Sequence, residues 1–145
     1  MASINTHESN LQKAQSMGQS IWCDDISRNL INSGRLKDLI SKGITGLTTN
    51  PTIFEKALNA TGDYDFDIAQ QISSGKSNKD IFEDLSIFDV QQVADALKEV
   101  YIGSNYSDGY VSYELPPNLA QNSAASVREA VRLFELIDRP NIMIK

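Results

Sequence analysis

The apolar positions of this 145-residue chain fall into four short runs separated by stretches of helical spacing. Ser20-Ile21-Trp22-Cys23, residues 44–49, residues 110–113 and residues 142–144 are compact and rich in β-branched or aromatic side chains. Runs of this kind suit strands buried on both faces, as in a parallel sheet. After the first run, Ile26, Leu30 and Ile31 share a helical face that Gly34 interrupts. A further piece, 35–42, carries Leu36, Leu39 and Ile40 and stops at Gly43, where a helix favours glycine just past its cap. Pro51 opens a helix to about residue 58, since its missing N–H has no partner in a first turn. The stretch 60–105 is helical throughout. Phe66, Ala69 and Ile72 mark one helix. Ser77-Asn78-Lys79-Asp80 caps a second that ends near Leu85. Val90, Val93, Ala94, Leu97 and Val100 mark a third, from Ser86 to about Tyr101. A last helix, capped near Asn122 or Ser123, is predicted to bury Val127, Ala130, Val131, Phe134 and Ile137. All these stripes read as core packing.

Upstream of the first strand, residues 1–10 read as a disordered lead, followed by a short helix over 11–17 that Gly18 ends. The whole is β-α-β-α-β-α-β, with extra helices between the second and third strands. Strands alternating with helices imply a parallel sheet with right-handed crossovers. No repeat or linker divides it, so a polar lead over 1–18 and one α/β unit over 19–145 are expected.

Composition narrows the partners. At 41% hydrophobic and 22% charged, the chain is of ordinary globular type. Its net charge of −6, with no basic cluster, argues against nucleic acid and anionic membrane surfaces. No apolar run approaches the roughly 20 residues of a membrane helix. The polar start lacks a signal-peptide core, and the single Cys23 permits no internal disulfide, so a cytoplasmic location is expected. No metal is expected, because His7 is the only histidine and reads as solvated. The sequons at Asn59 and Asn105 read as chance matches.

The candidate chemistry lies where the strands stop. Each strand ends on a polar residue: Asp24, Asn50, Glu114 and Lys145. The C-terminal edge of a parallel α/β sheet is where function sits. A lysine there can form an iminium with a keto sugar, one carboxylate can move protons for that step, and another can deprotonate a substrate hydroxyl as a C–C bond breaks. Each residue also has a plainer role. Asp24 or Asp25 can cap the following helix, Asn50 can cap the helix opened by Pro51, and Glu114 and Lys145 can be solvated charges. Spacing alone leaves these open.

The motifs resemble those of the transaldolases. Gly46-Leu47-Thr48-Thr49-Asn50-Pro51-Thr52-Ile53 is similar to their second-strand signature, and Ser20-Ile21-Trp22-Cys23-Asp24-Asp25 to the first strand of the longer bacterial forms. Tyr110-Val111-Ser112-Tyr113-Glu114 resembles their third strand. Arg139-Pro140-Asn141-Ile142-Met143-Ile144-Lys145 resembles the strand that carries their Schiff-base lysine. The resemblance implies a (β/α)8 barrel and a transferase of the pentose phosphate pathway with no metal or organic cofactor. Such an enzyme moves a dihydroxyacetone unit from a ketose phosphate (sedoheptulose 7-phosphate) to an aldose phosphate (glyceraldehyde 3-phosphate). Carried over, Lys145 forms the iminium, Glu114 is acid/base through a held water, and Asp24 takes the hydroxyl proton. Asn50 and Thr48 orient substrate and water, and Asp25 is left without a catalytic role.

Such a barrel has eight strands in about 250 residues, and four are expected here. The chain therefore reads as the N-terminal half of a transaldolase-type barrel, inactive alone, with open sheet edges through which it can self-associate. The alternatives are a fructose-6-phosphate aldolase-like lyase on the same barrel and a non-catalytic half-barrel module. A pyridoxal-phosphate lysine is weaker still, since no glycine-rich phosphate loop accompanies Lys145.

Overall fold

A computed structural model describes residues 9–60 and 62–145; the expected disordered lead and His7 fall almost wholly outside these. Helix α1 (Asn10–Ser16) starts at a reciprocal capping box between Ser9 and Gln12, and Gly18 follows its end at φ +87°. Strand β1 is Trp22–Cys23, followed by α2 (Arg28–Asn32) and α3 (Arg35–Ser41). Gly34, at φ +82°, turns the chain between these two helices, and Gly43, at φ +112°, follows the second. Then come β2 (Gly46–Thr48), α4 (Pro51–Ala60), α5 (Asp65–Ser73), α6 (Asn78–Ala96) and α7 (Lys98–Gly103). Strand β3 (Val111–Tyr113), α8 (Ser123–Ile137) and β4 (Ile142–Ile144) complete the described order.

The four strands form one parallel sheet in the order β1-β2-β3-β4. Each crossover steps to the same side, so right-handed connections place every crossover helix on one face of the sheet. That is the arrangement of consecutive strands in a (β/α)8 barrel, whereas a doubly wound sheet reverses direction. The register sets Leu47 beside Val111 and Val111 beside Ile142. These three point into the helical layer and join Leu30, Val90, Val93 and Leu133 in the main core. The opposite face carries Trp22 beside Gly46, and Thr48, Ser112 and Met143 in line. Gly46 is required there: a Cβ would meet the Trp22 ring at 2.3 Å.

The third predicted helical stripe holds, with Val90, Val93, Ala94 and Leu97 all at 0% exposure. Four expectations need correction. The helix break near Leu85 does not exist: α6 runs unbroken through Ser86, and the interruption falls at Leu97. Ser86 stays helical while buried, because its hydroxyl meets the Glu83 carbonyl and the Tyr113 hydroxyl. On α5 the Phe66, Ala69 and Ile72 face is exposed, and Ile68 packs inward instead. On α8 the buried pair is Leu133 and Ile137, whereas Val127, Val131 and Phe134 are exposed. The apolar arc of α8 is wider than the side that α6 and β4 cover, so periodicity could not select the buried half. Finally, β1 is half-buried at the sheet edge and not enclosed on both faces.

One polar cluster pins α2 to the helical layer. The Arg28 backbone N–H donates to Tyr64 Oη at 3.0 Å, and that hydroxyl donates to Asp89 Oδ2 at 2.6 Å. Arg28 Nε reaches Asp89 Oδ1 at 3.2 Å, its Nη1 pairs with Asp67, and its guanidinium lies 4.5 Å over the Tyr64 ring. Asp89 is fully buried, and burial pushes its carboxyl above the usual range despite these partners.

Gly109 closes the turn into β3. Its N–H donates to the Thr45 carbonyl at 2.9 Å, and its carbonyl accepts from buried Asn141 Nδ2 at 2.9 Å. At φ +85°, a Cβ there would sit 2.3 Å from the Tyr101 backbone nitrogen. Both the left-handed backbone and the clash oppose any side chain. Gly109→Ala is expected to cost at least about 2 kcal/mol, read as a lower urea midpoint at unchanged slope.

Candidate active site

Side chains alternate along a strand, so the face that carries Trp22, Thr48, Ser112 and Met143 continues to Asp24, Asn50, Glu114 and Lys145. Four strand ends thus deliver their polar residues to one rim. The Lys145 backbone is held in the sheet, its N–H donating to Tyr113 O at 2.9 Å and its carbonyl accepting from Leu115 N at 2.8 Å. Its Nζ donates to Thr48 Oγ1 at 2.9 Å and lies 3.2 Å from Glu114 Oε2. Both charged side chains are partly open, at 42% and 39% exposure, so the contact is a positioning one between accessible groups.

Asp24 is exposed and lines a surface groove together with Asn50, Thr52, Lys56 and Glu114. Glu114 and Lys145 line an adjoining groove beside Leu115 and Pro116. Glu114 therefore stands between the lysine and the other two residues. Every sequence-predicted site residue reaches this rim.

Two of the plainer roles are resolved. Asn50 does cap α4: its Oδ1 accepts from the Ile53 N–H at 2.9 Å. That bond fixes the amide orientation and turns Nδ2, a donor, away from the helix end. Neither Asp24 nor Asp25 caps α2; Ser27 does, accepting from Leu30 N at 3.1 Å.

Sequence reasoning missed Thr52 and Lys56. Their signal was present: four apart on the helix that Asn50 caps, they share its face. Lys56 is the cation in the groove formed by Asp24, Asn50 and Glu114. Among the described residues, no arginine lines the grooves that Glu114 shares with Asp24 and with Lys145. Among the described residues there is no cluster of His, Cys, Asp or Glu able to hold a metal, and no helix long and apolar enough to cross a membrane.

Cys23 lies on β1 beside the rim. Burial, and then the charges of Asp25 and Asp24, push its thiol above the ordinary value. Since the thiolate is the reactive form, Cys23 is expected to react with iodoacetamide more slowly than free cysteine at pH 7.5. Asp25→Asn is expected to speed that alkylation, followed by mass spectrometry.

Residues 21–145 match the model of the Transaldolase/Fructose-6-phosphate aldolase family. The chain is 44% identical over 136 residues to Transaldolase 2 of Nostoc punctiforme, covering 93% of this chain and 36% of that protein. It is 42% identical over 141 residues to a transaldolase of Saccharopolyspora erythraea, covering 97% of this chain and 38% of that protein. With a transaldolase of Mycobacterium marinum the identity is 38% over 146 residues, covering all of this chain and 38% of that protein. The chain thus spans little more than a third of the length of these relatives. The family match over nearly the whole chain, with its four parallel strands in barrel order, places it: the chain belongs to the transaldolase/fructose-6-phosphate aldolase family.

Proposed function

We propose that the chain contributes the first four strands of a transaldolase, a transferase that moves a dihydroxyacetone unit between sugar phosphates, with Lys145 as its Schiff-base nucleophile. The observation that carries this reading is the placement of Lys145 Nζ between Thr48 Oγ1 and Glu114 Oε2 at the rim. The neutral amine attacks the ketose carbonyl carbon and gives a carbinolamine. Loss of water then leaves the iminium, with Glu114 moving the protons through a held water. Asp24 takes the proton from the substrate hydroxyl beside the bond to be cut. The C–C bond breaks, its electron pair flows to the iminium nitrogen as an enamine, and the shortened aldose leaves. The enamine carbon then attacks the acceptor aldehyde, and hydrolysis of the new iminium frees Lys145. Asn50 Nδ2 donates to a substrate oxygen, and Thr48 holds the lysine in place. No metal or organic cofactor enters this scheme.

We also propose that the 145-residue polypeptide alone does not turn over. Its nucleophile is partly open to water, and among the described residues no arginine lines these two rim grooves. Borohydride trapping with fructose 6-phosphate separates the two proposals. It would be run on this chain and on a chimera in which residues 21–145 replace the matching segment of the Nostoc punctiforme relative. A reduced adduct on Lys145 is expected in the chimera and none in the chain alone. An adduct in the isolated chain overturns the inactivity; none in a folded chimera overturns the lysine assignment.

The rival within the family is an aldolase that releases dihydroxyacetone without an acceptor. The helices α5, α6 and α7 between β2 and β3, and the transaldolase names of the relatives, favour transfer. Product analysis of the chimera with and without an acceptor aldehyde distinguishes them.

A further inference from the structure

Two backbone hydrogen bonds bracket Glu114. The Lys145 N–H donates to Tyr113 O at 2.9 Å, and the Leu115 N–H donates to Lys145 O at 2.8 Å, so the carboxylate residue stands directly opposite the lysine. After Leu115 come Pro116 and Pro117, which have no N–H with which to continue the ladder. The sheet therefore offers the end of β3 little further hold. Tyr113 supplies one from the helical side. Its hydroxyl lies 2.8 Å from Oγ of Ser86 on α6, a contact buried at both ends. Ser86 gives its one hydroxyl hydrogen to the Glu83 carbonyl at 2.9 Å, so Tyr113 is the donor in the bond they share. Ser86 sits inside the 19-residue α6 and is a firm anchor. The Tyr113 ring also meets Phe54 of α4, the helix that Asn50 caps, at 6.4 Å.

We propose, resting on the reading of Lys145 as nucleophile and Glu114 as acid/base, that Tyr113 anchored on Ser86 is a positioning residue that holds Glu114 opposite Lys145. Side chains alternate along a strand, so Tyr113 points into the helical layer while Glu114 points to the rim. Tyr113 therefore acts through the backbone: its side chain fixes the strand end to α6, and its carbonyl fixes the Lys145 amide. A displacement of about 1 Å at a reacting group can cost on the order of a hundredfold in rate, so one tether at this point has leverage over the chemistry.

The test uses Ser86→Ala, Tyr113→Phe and the two together in the chimera. Ser86→Ala leaves a buried phenolic hydroxyl unpaired and is expected to lower the urea midpoint; adding Tyr113→Phe removes that hydroxyl and is expected to restore most of the loss. The rate is expected not to follow. In all three variants kcat for transfer should fall about tenfold while KM stays within about twofold, since no substrate contact is removed. The amides of Leu115 and Lys145 should exchange with deuterium about tenfold faster or more, as the local pairing opens more often. A double variant that regains rate together with stability shows a structural contact only and overturns the proposal. Exchange at both amides equal to that of the parent overturns it equally. If the parent chimera forms no adduct on Lys145, the transaldolase reading fails by itself, and exchange at the two amides still decides whether Tyr113 holds Glu114 against Lys145.

Discussion

Lys145→Arg in the chimeric barrel is expected to reduce the borohydride-trapped adduct to background while leaving the fold intact. Arginine keeps the positive charge that faces Glu114 at 3.2 Å, so an ion pair at the rim survives the change. It cannot supply a neutral nitrogen near neutral pH, so no iminium forms. Lys145→Met removes both charge and nucleophile and is expected to lose the adduct to the same extent. The comparison separates a nucleophile from a structural charge. If Lys145→Arg still traps the ketose, attack occurs elsewhere. If Lys145→Met unfolds while Lys145→Arg does not, the lysine's main contribution is its pairing with Glu114. Thr48→Val tests positioning: it removes the oxygen 2.9 Å from Nζ and should slow trapping without abolishing it.

Asp89→Ala is expected to be the most destabilising single change, at about 3–5 kcal/mol. The carboxylate is fully buried, and its loss leaves the Tyr64 hydroxyl and one edge of Arg28 without their acceptor. Domains of this size have roughly 5–15 kcal/mol in all, so chemical denaturation should show a large fall in midpoint. A fall of under about 1 kcal/mol would mean that Asp67 alone satisfies Arg28. The same cluster sets an alkaline limit. Burial, and then the bond to Asp89, raise the Tyr64 hydroxyl above its ordinary value near 10. A raised folded value means that stability is fully present below about pH 10 and is lost as pH climbs toward the folded value. Tyr64→Phe is therefore expected to lose stability at neutral pH yet to decline less steeply above pH 10, in melts run at a series of pH values.

Both results would bear on how far this chain can be read before it is folded. Lys145, Glu114, Asp24 and Asn50 were legible because each ends a short apolar run, and the ends of parallel strands share one edge by topology. Asp89 was not, since a carboxylate in an apolar stripe is unexplained until Arg28, 61 residues earlier, arrives beside it. Lys56 carried a local signal, its spacing from Thr52, but only the groove gave that spacing a meaning. The faces of α5 and α8 misled because apolar spacing identifies an arc of a helix and not the part of it that a neighbour covers.

What the sequence determined by itself was local: where strands stop, which residues cap or break helices, and which polar groups stand at the strand ends. These follow from backbone geometry and near-neighbour sterics, which short stretches encode. Only the tertiary structure decided the pairs. Lys145 lies against Thr48 across 97 positions, Asn50 Oδ1 caps α4, and Asp89 meets both Arg28 and Tyr64. Such contacts depend on register and packing between distant segments, which no local pattern specifies.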